Sequence, residues 1–360
     1  MTKPVLQVLP LQLIDVDTGV LLKRGNSILN VNGTGAKNAV RIVLSALAPP
    51  GGTVEEVQQK FSGPDRNAVG QLIEKLVANR FAVPANTDTR DSHLHETHMD
   101  IFYWHFGETA DSVAHRLNKQ RITILGVNTI SRQLCSTLQV SGFTNFEVID
   151  CPTLRNTRLV FDHDGLPQDS WIGFPIPKPR NFDEWKTNAK PDDFGCLIGT
   201  SDFGGSHLFK EWNHLCVKNK LFFFPILLQD QIGYVGPLVV PDQTACYECF
   251  LSRQHSHKPI SKSTSKVGEL AFEGQGVIGF HPAMASALAD IAAFELTKFF
   301  SGIVPGWNVG TVLEMNLLAS RMTSRKILKI PRCSVCSPLI TRTPTNPKKS
   351  FSFHPIKENA

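Results

Sequence analysis

Two Cys-x-x-Cys pairs are the residues most ready for chemistry in this chain. Cys246 and Cys249 lie in Thr-Ala-Cys-Tyr-Glu-Cys-Phe, and Cys333 and Cys336 in Pro-Arg-Cys-Ser-Val-Cys-Ser-Pro. Four thiolates in two such knuckles are the ligand set of a tetrahedral, structural Zn2+ site closed to substrate. The pairs stand roughly eighty residues apart, far more than in a small zinc finger, so the metal is expected to staple distant parts of one large domain. Disulfides and redox chemistry are the alternatives for this spacing. Cys135, Cys151, Cys196 and Cys216 stand singly among apolar residues and read as buried small hydrophobes. No secretory leader precedes the first strand, which argues against disulfides and for a cytoplasmic protein.

A second constellation surrounds Gly126. The apolar run Ile-Thr-Ile-Leu leads into Gly126-Val-Asn128-Thr-Ile-Ser131, then a helical stretch to Val140, then an apolar run ending at Asp150. Strand, tight turn, helix, strand and a terminal acid about two dozen residues after the glycine is the layout of a Rossmann-type nucleotide site. Two glycines of the fingerprint are replaced, however, by Asn128 and Ser131. A Cβ at either place obstructs the phosphate cradle, so the fold is expected and tight ATP binding is not. Asp202 ends another apolar strand, where α/β sheets gather ligand groups; a helix N-cap is the other reading of a lone acid there. Gly126, Asn128, Ser131, Asp150 and Asp202 together read as a vestigial nucleotide site.

These groups need elements to hold them. In residues 1–84, extended runs at Leu11–Val16 and Val20–Leu22 flank a turn at Asp17-Thr-Gly, and Ser27–Val31 is a third short strand. A helix follows with Val40, Val43, Leu44 and Leu47 on one face, stopped by Pro-Pro-Gly-Gly. Thr53 with Glu56 is a capping box for a second helix, and Asp65 or Pro64 opens a third. Three strands and three helices in this order make a small winged-helix-like domain. Residues 85–98 read as a polar linker whose His93, His95 and His98 lack anything to pre-organise them as metal ligands, followed by one helix from Met99 to Lys119. The Pro-rich stretch from Pro175 to Pro191 reads as a surface loop, Pro282–Phe300 as an Ala-rich helix suited to helix or subunit packing, and residues 341–360 as a flexible tail. A homodimer is the expected assembly. With 41% apolar residues and a formal charge of +5, the 360-residue chain can bury two cores, carries no membrane-length apolar run, and shows no basic platform for nucleic acid.

The segment Gly236-Pro-Leu-Val-Val-Pro-Asp-Gln-Thr-Ala-Cys-Tyr-Glu-Cys249 with Arg253, the second knuckle Pro331-Arg-Cys-Ser-Val-Cys336 and the His281-Pro-Ala-Met-Ala helix resemble the ThiF/MoeB (ubiquitin-activating-enzyme-like) superfamily. The resemblance is closest to its branch in ribosomal-peptide natural-product clusters and spans about residues 5 to 340. It implies an α/β chain in which a winged-helix-like precursor-peptide recognition element (1–84) and a linker with a helix (85–120) precede a Rossmann-like ThiF-type domain with a four-cysteine zinc site (121–340). In that branch the protein binds the leader of a precursor peptide and presents the core to a YcaO-domain ATPase, which cyclises Cys, Ser or Thr. A flavin-dependent azoline dehydrogenase can join the complex. The leader is then expected to add as a strand to Ser27, Ile28, Leu29, Asn30 and Val31, beside a helix face of Arg66, Gly70, Ile73 and Val77. Adenylating members carry a Gly-x-Gly-Gly-x-Gly-type loop; its loss here favours a non-catalytic subunit over an ATP-dependent adenylating enzyme acting on a peptide or carrier-protein carboxylate.

Overall fold

Period-two alternation and helical stripes build the first part of the chain. In the computed structural model, residues 4–85, 97–156, 177–190, 195–229, 231–257, 279–303 and 309–337 are described. The chain divides into two units, residues 1–113 and 114–360. In the first, Leu6–Val8 (β1) pairs antiparallel with Ala82–Pro84 (β5), while Gln12–Val16 (β2), Gly19–Arg24 (β3) and Ser27–Asn32 (β4) form an antiparallel sheet in that order. Val20 and Leu22 of β3 are fully buried. Over the sheet lies Ala36–Ala46 (α1), with Val40 and Val43 inward. The Thr53 and Glu56 capping box opens Val54–Gln58 (α2), with Thr53 N donating to Glu56 Oε2 at 2.8 Å. Asp65–Ala78 (α3) follows, burying Val69, Leu72, Ile73 and Leu76.

The long helix expected from Met99 is two helices, His98–Trp104 (α4) and Ala110–Asn118 (α5), separated where Gly107 takes φ 78. The first of them belongs with the small sheet. Trp104 Nε1 donates to the Arg80 carbonyl at 2.9 Å, and the Asn26 N–H donates to His105 Nε2 at 3.0 Å. Residues 86–96, with His93 and His95, lie outside the described residues, as does the tail from residue 338.

The second unit is an eight-stranded mixed sheet. In chain order its elements are Ile122–Leu125 (β6), Thr129–Val140 (α6), Phe146–Asp150 (β7), Arg180–Asn181 (β8), Phe182–Asn188 (α7), Cys196–Ser201 (β9), Phe209–Lys218 (α8), Phe222–Gln229 (β10), Ile232–Val235 (β11), Tyr247–His257 (α9), Pro282–Ser301 (α10), Thr311–Asn316 (β12) and Arg321–Lys326 (β13). Spatial order is β13-β12-β11-β10-β9-β6-β7-β8, parallel from β10 to β8 and antiparallel from β10 to β13. Every residue of β6 and β9 is buried, as parallel strands covered on both faces require. α6 and α10 pack on each other. α10 also crosses β11 so closely that a Cβ on Gly233 would overlap Leu288. The order reverses around β6, whose neighbours are β7 and β9, so the topological switch point of the sheet lies between β6 and β9.

The Pro-rich stretch is not a surface loop throughout. Residues 177–190 form β8 and α7, and Trp185 is buried against Phe182 and Trp212. Among the described residues no helix is long and apolar enough to cross a membrane.

Candidate functional site

At the switch point the start of α6 is held by the chain's own side chains. Gly126 leaves β6 at φ 105, and a Cβ there would sit 2.9 Å from the carbonyl oxygens of both Leu154 and Thr200. This one glycine of the fingerprint is required for the turn. Asn128 caps α6: its Oδ1 accepts from Ser131 N at 3.0 Å, and Ser131 Oγ accepts from Asn128 N at 3.0 Å. The other end of the Asn128 amide donates to Leu154 O at 3.1 Å, Thr200 O at 3.0 Å and Thr200 Oγ1 at 3.1 Å. Both Asn128 and Ser131 are fully buried. They are internal ties of the turn that opens α6.

Asp202 completes the arrangement. Its Oδ2 accepts from the Thr129 N–H at 2.9 Å and its Oδ1 from Asn156 Nδ2 at 2.8 Å, and the residue is 1% exposed. Burial pushes its carboxyl above the usual carboxylate range, against the opposing pull of the Asn156 and Thr129 donors. A carboxyl thus sits where a phosphate would meet a helix N-terminus. Asp150, at the end of β7, is gripped by Arg155 in a two-pronged ion pair of 2.7 and 2.6 Å. The structure therefore brings Gly126, Asn128, Ser131 and Asp202 together and turns Asp150 towards Arg155. Thr129 and Thr200 join the cluster without having been singled out in sequence as members of it, and Asn156 completes it. The Asn-x-x-Ser spacing of a cap was the available signal for the first link.

In the other unit, β4 pairs with β3 alone among the described residues, so its outer edge is open. Its side chains alternate, Ile28 and Asn30 exposed, Ser27, Leu29 and Val31 half-buried over the core. The register Arg24↔Ser27 closes a two-residue turn at Gly25-Asn26. A turn of that length is bounded by a hydrogen-bonded pair, so the N–H groups of Ile28 and Asn30 face the open edge and that of Leu29 faces β3. The four residues expected to form one helix face are placed differently from one another. Ile73 is core, Gly70 abuts Gln58 of α2, Arg66 is exposed with its Nε on the Phe61 carbonyl, and Val77 is 40% exposed. Ile73 is withheld from any groove because it belongs to the buried core that also holds Val20 and Leu22.

The four paired cysteines converge. Their sulfur atoms lie within 4.8 Å of one another, with Cys246–Cys249 at 3.9 Å, Cys246–Cys333 at 3.6 Å and Cys249–Cys336 at 3.5 Å. Tetrahedral bonds of about 2.3 Å to one metal place sulfurs ~3.8 Å apart, and a disulfide places them at about 2.05 Å. The quartet fits a metal and excludes disulfides within it. Its local frame is set by α9, which starts at Tyr247 with its N–H donated to Asn213 Oδ1 at 2.9 Å, and by Ile330, whose N–H points at Cys249 Sγ at 3.4 Å. Donation from the Cys246 and Cys249 thiols lowers the half-exposed Cys336 thiol below its usual range, while hydrogen bonding to Cys249 and Cys336 pushes the Cys246 thiol up. The donor set is soft, four-fold and closed, which suits Zn2+. Burial pushes the Cys135 thiol up to about 12, and it raises the buried thiols of Cys151, Cys196 and Cys216 as well.

No protein-family model matches this chain, and no curated protein sequence does. Solved structures do. MccB, described as a microcin C7 biosynthetic enzyme and bound to N-formylated MccA, superposes with a TM-score of 0.66 at 15% identity, over 92% of this chain and 99% of MccB. E. coli MccB with ATP gives 0.63 at 16% identity, with coverage of 92% and 99%. A heterocyclase in complex with substrate and cofactor gives 0.57 at 15% identity, over 93% of this chain and 40% of the heterocyclase. The chain has the fold of MccB along nearly its whole length.

Proposed function

We propose that this chain is a ThiF-like subunit that binds the leader of a ribosomally made precursor peptide and presents the core to a separate YcaO-domain cyclodehydratase, without adenylating anything itself. The observation that carries the reading is the start of α6. The backbone N–H groups that would cradle phosphates are taken by Asn128 and Asp202, and the acid that would hold a ribose is taken by Arg155. The fold is shared with a peptide-bound protein and with part of a heterocyclase, which supports the substrate class. The leader pairs with the open edge of β4 in a winged-helix-like element and covers Val77. Zn2+ held by Cys246, Cys249, Cys333 and Cys336 supplies a covalent-strength tie and no chemistry at the peptide. A homodimeric assembly and a flavin-dependent azoline dehydrogenase as a further partner belong to the same reading.

One observation favours a second reading, an ATP-dependent adenylating enzyme: the chain spans 99% of MccB, which has been solved with ATP. Two measurements separate them. With ATP, Mg2+ and a candidate precursor peptide, the first reading gives no AMP and no pyrophosphate above background. Labelled leader should bind by fluorescence anisotropy and lose more than about tenfold affinity, ~1.4 kcal/mol, in Asn30→Pro, whose proline removes an edge-facing donor and leaves the β3 ladder intact. Unchanged affinity in that folded variant places the leader elsewhere, and pyrophosphate release establishes the enzyme.

A further inference from the structure

We propose that the free edge of β13 is a docking surface for an acidic, extended segment of another protein, which adds to the eight-stranded sheet as a further strand. The inference stands independently of the leader-binding reading. Among the described residues β13 pairs only with β12, so the N–H and C=O groups along its other side form an open ladder. Residues 318–332 carry five cations, Arg321, Arg325, Lys326, Lys329 and Arg332, and no acid. Arg321 and Arg332 are exposed, and Arg325 reaches Glu314 across the ladder at 3.5 Å while its side chain stays 57% exposed.

Cations along an edge ordinarily keep other strands away. Here they alternate with open apolar groups: Leu318 is 72% exposed, Met322 55% and Leu328 62%. These three large hydrophobic side chains, exposed along one edge, are the groups that apolar side chains of an added strand would cover. Cations repel and apolar groups recruit, so the two together select a strand of opposite charge with its own apolar residues. A second β13 from another copy would set cation against cation in the ladder, which disfavours self-pairing. A nucleic acid would neutralise the charge but offers neither a peptide ladder nor apolar side chains for Leu318, Met322 and Leu328. The partner that meets all three features is a polypeptide strand alternating carboxylates with apolar side chains.

The probe is a short, labelled, N-acetylated peptide of alternating glutamate and valine, with an alternating lysine and valine peptide as control, added to the full chain. The glutamate peptide should bind with an affinity that falls as salt rises, slow amide exchange across 321–326, and lose about tenfold affinity or more in Arg321→Glu/Lys326→Glu. Met322→Ser, which leaves the charges in place, should weaken binding as well and guards against a misfolded charge-reversal variant. Absence of binding, equal binding of the lysine peptide, or binding unmoved in both folded variants overturns the proposal. Duplex DNA displacing the peptide overturns it in favour of a nucleic-acid surface, and a change in sedimentation of Arg321→Glu/Lys326→Glu on its own overturns it in favour of a contact between copies.

Discussion

Replacing Asn128 with glycine restores part of a phosphate-binding fingerprint, and that is why the substitution is informative. If a Cβ were the sole obstacle, Asn128→Gly would be well tolerated, since glycine in place of an asparagine N-cap costs only a few tenths of a kcal/mol, and nucleotide would then enter. The structure requires a different outcome. The Asn128 amide donates to the carbonyls of Leu154 and Thr200, all in a fully buried setting. Glycine leaves both acceptors without that donor, at about 1–3 kcal/mol for a buried group left unsatisfied. Together with the lost cap the loss is ~3 kcal/mol, which for a unit of this size is a fall in melting temperature of about 6–12 °C. Calorimetry measures the melting and isothermal titration measures ATP in the same preparation. The expected result is a large loss of stability with no gain of ATP binding, because Asp202 still holds the Thr129 N–H. A variant that melts with the wild type and binds ATP at micromolar affinity would refute the assignment of Asn128 as an internal tie.

Two further outcomes follow from the same sites. Cys333→Ser should drop metal content below one ion per chain by elemental analysis and lower the melting temperature in parallel, because a structural zinc is worth ~10–16 kcal/mol of apparent binding free energy in peptides; full metal occupancy in a Cys246→Ser/Cys333→Ser variant would remove the site from consideration. For Asp202, burial raises the folded carboxyl above its unfolded value, so its favourable contribution is complete below the unfolded value and is lost as pH rises through the folded one. Relative to Asp202→Asn, which does not titrate, the wild type should therefore become progressively less stable on going from acid to neutral pH. Urea unfolding at a series of pH values tests this, and a constant difference between the two proteins would mean that burial is not the dominant influence on Asp202.

Much of the architecture could be read from the chain because the relevant signals are local. The Thr53 and Glu56 box, the helix stripe at Val40 and Val43, and the continuous apolar runs of β6 and β9 each follow from neighbours a few residues apart. Knuckle spacing likewise located the cysteine quartet, although only the fold shows its sulfurs within 4.8 Å. What sequence could not supply is long-range. Asn128 reads as a lost glycine because its partners Leu154 and Thr200 stand 26 and 72 residues away. β13 shows no apolar alternation in Arg-Met-Thr-Ser-Arg-Lys and exists because β12 offers it a ladder. The α4–α5 break rests on Gly107 and on Thr109, whose Oγ1 accepts from Ser112 N, and α7 is masked by the prolines around it, its burial visible only once Trp185 meets Trp212.

The reach of the cysteine quartet has an evolutionary consequence. A metal joining Cys246 and Cys249 to Cys333 and Cys336 closes a loop of roughly eighty residues. The entropy of closing so long a loop grows only with the logarithm of its length, so doubling the segment between the knuckles would cost the tie about 0.6 kcal/mol. Descendants of such a chain can lengthen the connections between α9, α10 and β12 at almost no penalty to the knot that joins the two pairs, while those elements themselves stay bound to the sheet. The four cysteines act as fixed posts, and the connections strung between them are where new sequence can be tried.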